Sequence, residues 1–140
     1  MAETPEVLSA ALPTVPPSGR SILVLEDDRA TRLVVATLLR RQGHHVLEAG
    51  RIKEAMTQLE TGRVDLIVVD GLLPDGTGVD FIRALRDRGH QAAIVFVSSF
   101  FKDKQSYESL SKGLGVAAVV QKPFEPEKLI SSVQQILSSR

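Results

Sequence analysis

The sequence predicts an α/β fold in which five helices cover both faces of one parallel five-stranded sheet. Apolar runs rich in β-branched residues alternate along the chain with segments whose apolar residues recur at helical spacing. The central runs also lack the polar alternation of a half-exposed strand, which is typical of strands buried on both faces. The length of 140 residues fits one domain. We therefore expect βαβ units with right-handed crossovers.

The first half of the chain shows this alternation clearly. Residues 21–26 form an apolar run that stops on acidic residues, as expected for a first strand. Residues 28–42 have apolar side chains at helical spacing, and Gly43 is a typical residue to end that helix. Residues 45–49 predict a short second strand, and residues 52–60 predict a short second helix.

The second half of the chain continues the pattern with two more buried runs. The first of these runs again ends on an acid, and the second ends on two hydroxyl side chains. The final helix has five apolar residues at helical spacing. In order, we expect a strand at 64–70, a loop at 71–78, a helix at 79–88, a strand at 92–98, a helix at 104–112, a strand at 116–120 and a helix at 127–138.

Composition excludes several classes of protein. The chain has no Cys, which excludes thiolate chemistry and a disulfide scaffold, and its formal net charge is zero, which argues against a nucleic-acid-coating surface. No apolar run approaches the roughly 20 residues that span a bilayer, so we expect no membrane insertion and a cytoplasmic location. Residues 1–19 hold four of the seven prolines and predict a flexible or loosely docked tail before a domain over 20–140.

Charged and hydroxyl side chains lie at the carboxyl ends of four predicted strands. Glu26 and Asp27 lie at the end of the first strand, Asp70 at the end of the third, Ser98 at the end of the fourth and Lys122 just after the fifth. In an open α/β sheet the ligand site lies beyond the carboxyl ends of the strands, so these groups should converge. Clustered carboxylates repel one another, and a hard cation such as Mg²⁺ removes that repulsion. The residue set is suited to phosphoryl transfer onto a carboxylate.

Four sequence motifs carry a resemblance to a known family. They are ILVLEDD at 22–28, VDLIVVDGLLPDGTG at 64–78, IVFVSS at 94–99 and QKPF at 121–124. With these motifs, residues 20–140 resemble the receiver domain of bacterial two-component response regulators. The resemblance implies a flavodoxin-like doubly wound sheet with strand order 2-1-3-4-5.

The resemblance also implies a role for each residue that matches a family motif. Asp70 matches the phosphoacceptor, Ser98 the hydroxyl that meets the phosphoryl group, and Lys122 the lysine that pairs with a phosphoryl oxygen. The Lys122–Pro123 bond is expected to be cis. The implied Mg²⁺ ligands are Glu26 acting through water, Asp27, Asp70 and the backbone carbonyl of Leu72.

The function implied by the resemblance is a phosphorylation-controlled signalling module. Its expected partners are a sensor histidine kinase or phosphotransfer protein and a downstream protein target, with no direct contact to nucleic acid. Phosphorylation would change the face formed by the fourth helix, fifth strand and fifth helix, which could also form a homodimer. The protein would catalyse only its own phosphorylation and slow dephosphorylation.

Three alternatives of other classes compete with this function. The first is a receiver-like interaction scaffold that no longer switches. It is motivated by Val119, which stands where the family often has an aromatic residue. The second is an aspartyl-phosphate phosphatase, which is disfavoured because Leu72 lies where such enzymes place a second acid. A flavin-binding flavodoxin is also disfavoured, because no hydroxyl-rich loop follows the first strand.

Several residues near the predicted site depart from the family pattern or carry separate expectations. Leu72 and Phe100 are large apolar residues at positions that govern water access, so we predict slow hydrolysis of the phosphorylated form. The segment after Ser98 is slightly long, which predicts a remodelled surface with Phe100 and Phe101 partly exposed. Asp28 is expected to cap the first helix and Asp75 to serve its turn. No metal is assigned to His44, His45 or His90.

Overall fold

The computed structural model describes residues 19–99 and 109–139. Residues 1–18 of the predicted tail at 1–19, and the predictions for Phe100 and Phe101, lie outside the described residues. The described strands are β1 (Ser21–Leu25), β2 (His45–Ala49), β3 (Leu66–Asp70), β4 (Leu72–Leu73), β5 (Gly76–Thr77), β6 (Ala93–Ser98) and β7 (Val116–Gln121). The described α-helices are α1 (Arg29–Arg41), α2 (Ile52–Thr61), α3 (Gly78–Asp87) and α4 (Pro126–Ser138).

Five of these strands form one parallel sheet in the order β2-β1-β3-β6-β7. This confirms the predicted order 2-1-3-4-5, because β6 and β7 are the fourth and fifth strands of the main sheet. The register pairs Leu25 with Val69 and Asp70 with Val97. The carboxyl ends of the central strands therefore meet at one edge of the sheet.

Apolar side chains cover both faces of the main sheet. On one face, Val24 and Val68 belong to a buried cluster that includes residues of α1 and α4. On the other face, Leu23 and Ile67 belong to a second cluster that includes residues of α2 and α3. All five residues of β3 are buried, and each buried Leu, Ile or Val contributes about 1.5–3 kcal/mol relative to an exposed one. The rigid centre of the sheet thus carries the residues at its carboxyl edge.

The largest difference from the predicted elements lies between β3 and α3. The segment predicted as a loop at 71–78 contains a small antiparallel hairpin in which Leu72 pairs with Thr77. The predicted helix at 104–112 falls mostly outside the described residues, and its described end is a π-helical turn at Ser109–Gly113. In the part of the chain that the structure describes, no helix is long and apolar enough to cross a membrane.

Two acidic side chains cap the amino ends of helices by accepting hydrogen bonds from free backbone N–H groups. The Asp28 carboxylate accepts from the Thr31 N–H at 2.9 Å, which confirms the predicted cap of α1. Asp75 was expected to serve its own turn. It lies in the turn between β4 and β5, and its carboxylate also accepts from the N–H groups of Ile52 and Lys53, at 2.8 and 3.0 Å. It therefore caps α2 from the β4–β5 hairpin, a partnership across the chain that the local sequence does not reveal.

Candidate functional site

Three carboxylates meet where β1 and β3 end. Glu26 and Asp27 follow β1 directly, and Asp70 is the last residue of β3. One carboxylate oxygen from each of the three residues lies within 4.8 Å of the others. Glu26 and Asp70 are buried, whereas Asp27 is exposed. The predicted convergence of these acids is therefore present, with one open side that faces solvent.

Lys122 places a positive charge beside the two buried acids. Its Nζ lies 2.8 Å from Glu26 Oε1 and 3.3 Å from Asp70 Oδ1, and the peptide bond between Lys122 and Pro123 is cis, as expected. Burial alone would lower the pKa of Lys122, but the hydrogen bond and charge of Glu26, together with Asp70, raise it above its ordinary value. Lys122 is therefore a cation under all ordinary conditions.

The position of Glu26 is fixed at both its backbone and its side chain. Its N–H donates to the Ala49 carbonyl at 3.0 Å, and its Oε2 accepts from the Asp28 N–H at 3.0 Å. Its own carbonyl accepts from Arg32 Nη1 at 2.8 Å. Sequence reasoning did not single out Arg32, because a lone arginine on an amphipathic helix carries no signal that it turns toward a backbone carbonyl.

Ser98 and two glycines complete the surroundings of Asp70. The Ser98 side chain is buried, and its hydroxyl lies 3.3 Å from the point where a Cβ on Gly71 would be. A Cβ on Gly78 would clash with the Asp70 carbonyl oxygen, so only glycine allows α3 to begin this close to the acid. The structure thus places the predicted hydroxyl beside the residue that follows Asp70.

Leu72 and Val119 are the two described residues that the sequence marks as differences from the usual family pattern. The Leu72 side chain is 53% exposed, so its apolar surface lies open to solvent two residues beyond Asp70. Val119 is only partly exposed; it pairs with Phe96 in the sheet and packs against the cluster that includes α2 and α3. A valine at this position fills part of the core rather than presenting a ring that could rotate.

A groove of about 780 Å³ opens beside the acids, between the first turns of α1 and the residues that follow β7. Asp28, Ser99 and Lys122 are among its polar lining residues, and Val34 and Phe124 are among its apolar ones. A ligand in this groove could contact Lys122 directly. The site can therefore be approached by a group on a larger molecule.

The donor set fits a hard divalent cation. The three acids offer only oxygen atoms, and Mg²⁺ prefers oxygen ligands and retains several waters. The exposed carboxylate of Asp27 leaves room on the solvent side for such waters. Glu26, Asp27 and Asp70 are the residues that would hold the ion.

Comparison with known proteins identifies one family. A model of the response regulator receiver domain matches residues 22–134. The phosphate regulon transcriptional regulatory protein PhoB of Escherichia coli is 29% identical over 119 residues, which cover 85% of this chain and 52% of that protein. The alkaline phosphatase synthesis transcriptional regulatory protein SphR of Synechococcus elongatus is 31% identical over 144 residues, which cover 96% of this chain and 55% of that protein. The chain thus spans about half the length of these relatives.

Solved structures show the same fold. The chemotaxis response regulator CheY4 of Vibrio cholerae superposes with a TM-score of 0.75 at 25% identity, covering 84% of this chain and 98% of that one. The receiver domain of the Francisella response regulator 1452 has a TM-score of 0.78 at 24% identity, with coverage of 86% and 98%. At these identities the agreement is one of architecture, including the strand order that brings the acids together.

Proposed function

We propose that this chain, which belongs to the family of response regulator receiver domains, accepts a phosphoryl group on Asp70. The observation that carries the proposal is the buried Asp70 carboxylate, which has Lys122 Nζ at 3.3 Å and two further carboxylates within 4.8 Å. A carboxylate held among other acids beside a fixed ammonium is suited to attack phosphorus once a cation offsets the negative charge.

In the proposed reaction, an Asp70 carboxylate oxygen forms a bond to phosphorus as the bond from phosphorus to the donor histidine nitrogen breaks. The nitrogen keeps the electron pair of that bond. Bound Mg²⁺ would supply electrostatic stabilisation of the phosphoryl oxygens. Lys122 would exchange its contact with Asp70 for one with a phosphoryl oxygen, and the Ser98 hydroxyl would donate to another. The backbone carbonyl of Leu72 is proposed as a further metal ligand.

The partners follow from this chemistry. We propose a sensor histidine kinase or a phosphotransfer protein as the donor, in the cytoplasm, and a downstream protein as the receiver of the signal. The changed face would include β7 and α4, and a homodimer could use the same face. The domain would catalyse only its own phosphorylation and slow dephosphorylation. Zero formal net charge gives it no general attraction to nucleic acid.

A scaffold that no longer switches is the less favoured function. Val119 motivates it, whereas the gathering of Glu26, Asp27 and Lys122 around Asp70 supports phosphoryl transfer. A scaffold has no need for buried Glu26 and Asp70 to share one ammonium, since buried like charges are destabilising. The clustering of these groups therefore supports phosphorylation.

The test is the intact mass of the protein after incubation with acetyl phosphate and Mg²⁺. We expect a gain of one phosphoryl group in the wild type and none in Asp70→Ala. Asp80→Ala is a matched control, because the Asp80 side chain is exposed on α3 and pairs only loosely with Arg83 at 3.6 Å. This control should be phosphorylated like the wild type.

Two outcomes would contradict the proposal. A mass gain that persists in Asp70→Ala would show that another group accepts the phosphoryl. No gain in the wild type, with acetyl phosphate or with a panel of phosphorylated histidine kinases, would favour the scaffold instead.

A further inference from the structure

Arg32 joins the acid pair to the edge strand of the sheet. Its Nη1 donates to the backbone carbonyl of Glu26 at 2.8 Å, and its Nε donates to Glu48 Oε1 at 3.3 Å. The carbonyl that it contacts belongs to the peptide linking Glu26 to Asp27. The side chain of Arg32 is only 19% exposed, so these contacts are made in a partly enclosed space.

The guanidinium of Arg32 is itself held in place. Glu48 Oε2 also accepts from Arg40 Nη1 at 3.1 Å, so the carboxylate is fixed from two sides. Gly50 leaves room for the guanidinium, because a Cβ there would lie 3.1 Å from Arg32 Nη1. The Gly50 N–H is fixed in turn by Glu54 Oε1 at 2.8 Å. Strand β2, which supplies no acid to the site, therefore supports it through Arg32.

Building on the proposed function, we propose that Arg32 is a positioning residue for the metal-binding acids. By holding the Glu26 carbonyl, it sets the orientation of the peptide from which the Asp27 carboxylate extends. Groups that orient metal ligands typically contribute 10- to 100-fold to metal affinity. Glu48 acts one step further out, by orienting the guanidinium of Arg32.

Charge and positioning predict opposite effects for the loss of Arg32. A cation near the acids repels Mg²⁺, so if Arg32 acted by charge alone its removal would strengthen Mg²⁺ binding. If Arg32 holds the Glu26–Asp27 peptide, its removal weakens Mg²⁺ binding despite the lost repulsion. Arg32→Lys retains the charge but lacks the planar fork that reaches both partners, so it should also bind Mg²⁺ more weakly.

The experiment is a titration of the full chain with Mg²⁺ alone, followed by the amide NMR signals of Asp70 and Gly71. We expect the dissociation constant to rise about tenfold in Arg32→Met and severalfold in Arg32→Lys. Glu48→Gln should raise it in the wild-type background but not in the Arg32→Met background. Arg83→Met, which removes an exposed arginine on α3, is the control and should bind like the wild type.

An Arg32→Met variant that binds Mg²⁺ as tightly as the wild type, or more tightly, would overturn the inference. Arg32→Lys carries the same test if the methionine variant does not fold, and a metal-free melting curve of each variant identifies that case. A wild type that binds no Mg²⁺ would overturn the metal site of the proposed function and this inference with it. Normal wild-type binding with unaffected variants would overturn the inference alone.

Discussion

At the amino edge of the main sheet, charged and polar side chains bind backbone groups, whereas at the carboxyl edge acidic side chains face one another. Arg86 donates to four backbone carbonyls that precede β6 and β7. Asp65 accepts from the Ser21 N–H at 2.9 Å, and His44 Nδ1 accepts from the Arg20 N–H at 3.1 Å. These contacts satisfy groups that the ends of strands leave without partners.

The carboxyl edge has a different electrostatic character. Glu26 and Asp70 share the ammonium of Lys122, and the Asp27 carboxylate lies close to both acids, which leaves an excess of negative charge in a partly buried place. Such an arrangement costs stability in the absence of a cation. Side chains at the amino edge thus satisfy backbone groups of the fold, whereas those at the carboxyl edge leave a negative charge that a bound cation would offset.

The largest expected effects are losses of stability, and the first follows the replacement of a side chain at the amino edge. Arg86→Met should lower the free energy of unfolding by about 2 kcal/mol, because four carbonyls, most of them partly buried, lose a charged donor. The carbonyls concerned are those of His90, Ala92, Leu114 and Gly115. Urea unfolding measures the loss, and Arg83→Met should change it by less than about 0.5 kcal/mol. If folded Arg86→Met bound Mg²⁺ with a much changed affinity, the amino edge would not be independent of the acids at the carboxyl edge.

A second substitution affects stability and the site together. Gly78→Ala places a methyl group against the Asp70 carbonyl and should cost about 2 kcal/mol. It should also weaken Mg²⁺ binding, because the clash moves the backbone of Asp70. Gly62→Ala is a suitable control, since nothing lies within 4 Å of its added Cβ. Equal stabilities of the two variants would show that α3 can shift without cost.

The third substitution should raise the stability of the metal-free protein, whereas the first two lower it. Asp70→Asn removes one of the mutually repelling charges and should raise the stability of the metal-free protein by about 1 kcal/mol. The same variant should lose the rise in melting temperature that Mg²⁺ gives the wild type. Thermal melts with and without Mg²⁺ measure both effects. A less stable metal-free variant would mean that the Asp70 contact with Lys122 outweighs the repulsion.

The exposed side chain of Leu72 allows a smaller, kinetic test at the carboxyl edge. Leu72→Asn should accelerate loss of the phosphoryl group about threefold, less than about 1 kcal/mol in activation free energy, because an amide beside the site can bind the attacking water. Decay of the phosphorylated mass over time measures this rate. Phe100→Glu should act in the same direction. Unchanged lifetimes in both variants would count against control by water access.

The smallest expected effect concerns acid stability. Hydrogen bonds from the side chain and then the backbone of Thr31 hold the pKa of Asp28 below its ordinary value of 3.8. The stabilising contribution of ionised Asp28 is therefore complete above the unfolded pKa and is lost as pH falls through the lower folded pKa. Asp28→Asn keeps a capping acceptor that does not titrate. The difference in unfolding free energy between the wild type and Asp28→Asn should shrink as pH decreases. A difference that stays constant with pH would contradict a stabilising role for ionised Asp28.

Much of the fold and site could be predicted because the signals were local. A continuous apolar run such as residues 66–70 predicts a strand buried on both faces, and neighbouring parallel strands bring their carboxyl ends to the same edge of a sheet. Arg32 and Asp75 could not be predicted in the same way. Their partners are a carbonyl and two N–H groups that every residue carries. Only the packed arrangement of α1, α2 and the hairpin determines which of these groups come within reach.

The acids come from strands that are neighbours in space but distant along the chain. Glu26 and Asp70 have α1, β2 and α2 between them in sequence, and Lys122 follows β7. An unfolded chain therefore cannot bring these groups together, whatever the metal concentration. A ligand that contacts Glu26 and Asp70 at the same time binds only the folded molecules in a mixture of folded and unfolded protein. Its occupancy can serve as a reporter of how much of a preparation has kept its tertiary structure.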